Sequence, residues 1–430
     1  MARMKASLSG SEGSIIGLAI AFFTLAGSQG EPRPIVVFGL ILITPLVLLG
    51  TGLTRRPWLA AAYLILLGVL TRAFYMDRPP DSDVLPVTHA AIDRMLRGNS
   101  PYGLMYSVPP FFGPGNPFAY PPGNLLYYLP GFLLDSVRST EVFSSAVVLA
   151  GLAWVAWLIR SDWPVATMGL YAAAPPLILL ATDGSNDTSA GALLFVSALL
   201  LFLSKRRSNG WLLIASALLM GETLAFKQYT LPFWLFLTAY VAAQPWRLSK
   251  GIYQRTFSIP AWIPYAIVSA GYAGAVSLPF FLTSPATFLD DVVFVSRFSS
   301  SALGIDGWNV WSFMLRWKGW NADKALGDSL VPIDLTVMGF AIVLGLLAGV
   351  GKPSRSLLFG AGAWFLVMLF ARWTTYASFA GVAPIVLLIP FADRLADPSD
   401  SPEAQMTRQT TIALERHPTM PPSRGAALRE

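Results

Sequence analysis

The sequence predicts an all-α polytopic membrane protein, a bundle of about twelve transmembrane helices with external juxtamembrane helices. Three observations point there. Of the 430 residues, 54% are hydrophobic and 13% charged, whereas an ordinary soluble domain carries about 25% charged residues. So little polar surface cannot clothe a soluble globule of this size. Apolar stretches near the roughly 20 residues of a bilayer crossing recur at 14–30, 34–53, 57–76, 140–160, 163–182, 186–204, 211–226, 229–243, 259–282, 333–351, 356–372 and 376–392. The charges then sort by loop as the positive-inside rule expects.

With the N-terminus (Arg3, Lys5) in the cytoplasm, the loops that hold Arg55–Arg56, Arg160, Lys205–Arg206–Arg207, Arg247, Lys250, Arg255, Lys352 and Arg355 are cytoplasmic too. Asp77, Asp81, Asp83, Asp93, Asp183, Asp187, Asp290, Asp291, Asp306, Asp323, Asp328 and Asp334 fall outside. The first stretch, 14–30, is expected to be a retained helix because the turn to the second span is tight. As a cleaved signal peptide it would leave the later orientation unchanged. Residues 124–134 are apolar but short, and counting them as a span would carry Lys205–Arg206–Arg207 outside. They are expected to lie in the outer interface as a juxtamembrane helix. The membrane domain is therefore 1–393, with external segments 77–139 and 283–332. The tail 394–430 is rich in Pro, Ser, Arg and Glu and is expected to be disordered and cytoplasmic. No internal repeat is visible.

Composition also excludes chemistry. Without cysteine there is no disulfide framework, thiolate zinc site or iron–sulfur cluster. The two histidines, His89 and His417, are too few for a histidine-built metal site. The net charge of +6 is a consequence of membrane orientation and calls for no nucleic acid.

The external segment 77–139 is the most informative. Val84 to Arg97 is expected to form a short amphipathic helix, with Val84, Val87, Ala91 and Met95 on one face. Asp83 stands at its N-cap, Pro86 in its tolerant first turn and Gly98 at its stop. An Asp after a transmembrane helix is followed by this surface helix with Ala90–Ala91. Gly98, Pro101–Tyr102 and Tyr120–Pro121–Pro122 then lead into an L-P-containing helix. That order resembles the GT-C glycosyltransferases, and more narrowly the polyprenyl-phosphate-mannose-dependent mannosyltransferases of glycosyltransferase family 87. The resemblance covers about 77–235. It departs from the family in placing two spans before the helix that precedes the external segment.

The resemblance implies an inverting transfer of a sugar, typically mannose, from a polyprenyl-phosphate donor to an acceptor hydroxyl on a lipid, glycan or protein. It implies a bacterial plasma membrane and an active site facing outward. The general base maps to Asp83. Asp81, two residues away, is the alternative base, and the two could together hold a divalent cation. Capping of the helix is the plain structural role for Asp83. Tyr102 and Tyr120 fall at the substrate in the resembling pattern. The departing phosphate needs cations at the outer membrane edge, and Lys227, Arg297 and Arg372 are the candidates. Asp187 is expected to cap the sixth span or to bind a sugar hydroxyl, and Glu222 to orient Lys227. His89 is expected to make a surface hydrogen bond. Trp308, Trp311, Trp317 and Trp320 are expected near headgroup level or against a sugar face. A transporter or lipid flippase is the alternative, with Glu222 and Lys227 serving translocation. A non-catalytic assembly protein is a third.

Overall fold

A computed structural model of the chain describes residues 11–27, 35–109, 111–244, 247–248, 259–292, 306–307, 309–318, 324–347, 351–371 and 373–397. The protein is an all-α polytopic membrane protein. Helices α1 (Glu12–Gly27), α2 (Ile35–Thr54) and α3 (Pro57–Tyr75) lead to a short helix α4 (Val84–Leu96) and a hairpin of β1 (Met105–Val108) and β2 (Phe111–Pro117). Then come α5 (Gly123–Leu133), α6 (Ser139–Leu158), α7 (Trp163–Ala173), α8 (Pro175–Leu180), α9 (Asp187–Arg207) and α10 (Gly210–Phe226). A 3-10 turn, Gln228–Thr230, enters α11 (Leu231–Ala242). The remainder is α12 (Trp262–Thr283), α13 (Pro285–Val292), α14 (Val310–Lys318), α15 (Lys324–Leu347), α16 (Pro353–Phe370), α17 (Tyr376–Ala380) and α18 (Ala383–Leu395). Two two-residue strand pairs complete it, Arg247–Leu248 with Ile259–Pro260 and Asp306–Gly307 with Trp373–Thr374.

Among the described residues seven segments are long and apolar enough to cross a membrane, in α2, α3, α6, α9, α12, α16 and α17–α18. Helices α1, α10 and the Thr336–Leu347 part of α15 are apolar but shorter. Helix α9 is the central one and is buried along almost its whole length. That suits a sequence that is apolar all round rather than along one stripe. Helix α1 is a packed member of the bundle, with Leu18 and Ala21 fully buried and the Ser14 amide donating to Asp162 at 3.0 Å.

The stretch 163–182 differs from the single span expected. It breaks at Ala174, whose backbone is extended, because Pro175 and Pro176 have no N–H and cannot continue α7. The prolines leave the carbonyls of Tyr171 and Ala172, four residues before them, without helical donors. The fully buried Arg72 of α3 supplies those donors, to Tyr171 at 2.8 Å, to Ala172 at 3.2 Å and to Leu177 at 3.2 Å. In a membrane interior every freed carbonyl must find such a partner.

The loops segregate to two ends, as the charge pattern requires. At one end Arg206 donates to Leu158, Arg394 to Ile159, Lys205 to Gln244 and Gln244 to Gly351. At the other, Arg138 donates to Arg78 and Thr182, Gln228 to Ala119 and Val292, and the Gly103 amide to Asp291 at 2.6 Å. The first set joins loops expected in the cytoplasm, and the second joins loops expected outside.

Helix α4 matches its expected bounds within a residue, but its buried face is wider. Leu85, Val87, Thr88, Ala91 and Ile92 are all buried. The reason is that α4 is wedged against both α5 and the hairpin rather than lying on one flat surface. Helix α5 covers the stretch expected as juxtamembrane, and its 11 residues are too few to span.

Candidate functional site

The end of the bundle that carries α4 assembles around one turn, Ala181–Asn186, between α8 and α9. Gly184 sits there at φ +90°, a left-handed conformation that costs glycine nothing. A Cβ at this position would stand 2.6 Å from the Ser82 carbonyl. The close approach lets the Asp81 and Ser82 amides donate to the Asp183 carbonyl, each at 2.8 Å, and the Leu85 amide to the Gly184 carbonyl at 2.8 Å. The last of these bonds takes up the Leu85 N–H, which an N-cap side chain would otherwise satisfy, and Pro86 at the next position has none to offer. Asp83 therefore occupies the N-cap position without making a side-chain cap bond, which corrects the capping expectation. Its carboxylate accepts instead from the Asn116 side-chain amide. Asn116 lies opposite Tyr106 in the hairpin. Both Asp83 and Asn116 are partly exposed.

Asp187 behaves likewise. It is the first residue of α9, and Asn186 holds the cap position without a side-chain cap bond. The Ser189 amide in that first turn donates to Glu141 of α6 at 3.1 Å. Glu141 also accepts the hydroxyls of Ser189 and Tyr128. Asp187 is thus free to pair with Lys227, whose Nζ lies 2.6 Å from Asp187 Oδ1 and 2.5 Å from Asn186 Oδ1. The side chains of this ion pair are only 2% and 6% exposed. Tyr229 also donates to Asp187 Oδ1, at 3.0 Å. The ring faces of Tyr229 and Tyr120 flank the ammonium at 4.7 and 5.5 Å.

Tyr120 lies within electrostatic reach of both acids. Burial first, then the Asp187 and Asp83 carboxylates, push its phenol well above the ordinary value, so it stays a neutral donor. Asp183 is pushed up by burial, against donation from Tyr376 at 2.5 Å and from the Ser185 amide at 2.8 Å. Lys227 is pulled down by burial, while Asp187, Glu141 and Asp183 work to keep it charged.

Of the residues singled out from sequence, Asp83, Tyr120, Asp187 and Lys227 come together. Asp81 is exposed beside them. Tyr102 is buried in an aromatic cluster with Phe118, Phe280 and Phe288, and its hydroxyl donates to the Tyr120 carbonyl at 3.0 Å. It supports the loop that carries Tyr120. Arg297 and Arg372 lie outside the described residues, as do Trp308, Trp320 and the tail beyond 397. Glu222 does not orient Lys227. It pairs with Tyr272 of α12, because five residues of helix separate the two side chains by well over a quarter turn. His89 is exposed and packs on Phe132 at 4.7 Å. Trp311 donates to the Phe370 carbonyl at 2.7 Å, and Trp317 is exposed.

Asn116, Asn186 and Tyr229 were not singled out. Asn186 and Tyr229 immediately neighbour residues that were, while Asn116 sits in a Gly- and Pro-rich stretch with no periodic signal. Among the described residues no three of His, Asp and Glu gather as a metal site. No protein-family model, curated protein or solved structure matches the chain.

Proposed function

We propose that the chain is an integral-membrane glycosyltransferase of GT-C type. It moves a hexose, mannose by resemblance, from a polyprenyl-phosphate donor to an acceptor hydroxyl at the external face of a bacterial plasma membrane. The observation that carries this reading is the shared neighbourhood of Asp83 and the Asp187–Lys227 pair at Tyr120. A carboxylate released from capping, held by one amide and partly exposed, suits a general base.

The step balances simply. The acceptor oxygen bonds to the anomeric carbon as the carbon–oxygen bond to the lipid phosphate breaks, and Asp83 takes the hydroxyl proton. The phosphate leaves with the bonding electrons, and the configuration inverts. Lys227, spoken for by Asp187, is a poor sole partner for that phosphate. Arg297 and Arg372 are the remaining cations proposed for it. Asp81 is the alternative base.

The test is Asp83→Asn with labelled polyprenyl-phosphate mannose and membranes as the acceptor source. Transfer is expected to fall by about 10²–10⁴-fold with membrane insertion and the unfolding midpoint unchanged. Undiminished transfer would remove Asp83 as base. One observation favours a translocation reading: Glu222, buried in apolar α10, has an oxygen without a partner among the described residues. Proton-driven uptake abolished by Glu222→Gln, with no sugar transfer by the wild type, would establish that reading instead.

A further inference from the structure

Asn186 is fully buried, and its amide nitrogen has no hydrogen-bond partner among the described residues. Its orientation is fixed chemically. Lys227 can only donate, so the atom facing it at 2.5 Å must be the oxygen. The nitrogen is therefore a donor left open beside the ammonium. Such an orphan inside a low-dielectric site costs free energy unless a ligand answers it.

The neighbouring carboxylate supplies the opposite polarity. Asp187 Oδ1 takes Lys227 and Tyr229, and Oδ2 accepts no hydrogen bond among the described residues. An open donor and an open acceptor thus stand on adjacent residues, 186 and 187. The charges decide what fits. Lys227 is neutralised by Asp187, and Asp183 adds a further acid close by. A phosphate accepts only and carries its own negative charge, which Asp187 and Asp183 would repel. A sugar hydroxyl both donates and accepts, carries no charge, and leaves C–H faces to lie on aromatic rings. Tyr120 and Tyr229, both partly exposed, offer those rings.

We propose that Asn186 and Asp187 form a subsite that reads a hydroxyl of the transferred sugar, with Lys227 holding both side chains in place. This assignment rests on the glycosyltransferase reading and moves Lys227 from clamping the phosphate to shaping the sugar pocket.

The test uses the full chain in lipid nanodiscs and two probes, a polyprenyl phosphate and the same lipid carrying mannose. Asn186→Asp keeps an oxygen on Lys227 and deletes the amide donor while adding a negative charge. It is expected to weaken the mannosylated lipid about tenfold while leaving the bare lipid within about twofold. Asn186→Ser, which adds no charge, should do the same and serves where the aspartate variant unfolds. Equal weakening of both lipids would place the phosphate at Asn186 and overturn the proposal. No weakening of either would remove Asn186 from the site. A wild type that binds neither lipid would sink the glycosyltransferase reading and this subsite with it. A wild type that transfers mannose while both variants bind like it would sink the subsite alone.

Discussion

Replacing Lys227 with methionine should cost far more stability than replacing Asp187 with asparagine. The ion pair is almost wholly buried at 2.6 Å, and removing one member of such a pair leaves the other as a stranded charge, worth about 3–5 kcal/mol. The two members are not equivalent. Lys227 faces Asp187, Glu141 and Asp183 together, so Lys227→Met strands three acids and should reach about 4 kcal/mol. Asp187→Asn leaves the ammonium its bond to Asn186 and the field of the two remaining acids, so about 1.5 kcal/mol is expected. The double variant removes both charges. It should cost about 2 kcal/mol, well below the additive sum, for a coupling of about 3.5 kcal/mol. Reversible unfolding in mixed micelles, followed by tryptophan fluorescence, measures all four corners of the cycle. Equal costs for the two single variants would refute the asymmetry, and a double variant within about 0.5 kcal/mol of their sum would refute the pairing.

Arg72→Lys cannot reach the carbonyls of Tyr171, Ala172 and Leu177 at once. About 2 kcal/mol should be lost, with faster amide exchange over 171–180 and little change elsewhere. Asp183 is held above its ordinary 3.8 by burial, so the folded state keeps a proton that the unfolded state has released. Its contribution is fully present below 3.8 and is lost as pH rises through the raised value. Asp183→Asn should flatten that part of the stability–pH curve, and an unchanged curve would contradict the burial. Gly184→Ala meets both a strained φ and the Ser82 carbonyl, so about 1–2 kcal/mol is expected, with exchange at the Leu85 amide rising most.

Much of the helical plan was legible because it depends on local apolar content. The bounds of α4, the short α5 and the two-ended loop arrangement follow from periodicity, length and charge, each a property of neighbouring residues. The break at Ala174 was less legible. A Pro-Pro pair states the cost, but the residue that meets it, Arg72, is about a hundred positions away. The candidate site divides in the same way. Asp83, Asp187 and Lys227 stand out as charges at span ends, yet nothing local says that Asp187 and Lys227 pair across forty residues. Nothing local predicts that the Gly184 carbonyl takes the Leu85 amide of α4 and so frees Asp83. Asn116 belongs to a hairpin whose glycines and prolines carry no alternating pattern, so only the folded chain brings it to Asp83.

The bonds from Asp81, Ser82 and Leu85 to Asp183 and Gly184 make a single rigid mount for residues a hundred positions apart in the chain. Asp83 follows one side of that mount, and Asp187 begins the helix on the other. A lipid-driven tilt of α9 would carry both carboxylates together, so their spacing is set by main-chain welds and is insulated from the thickness of the surrounding bilayer.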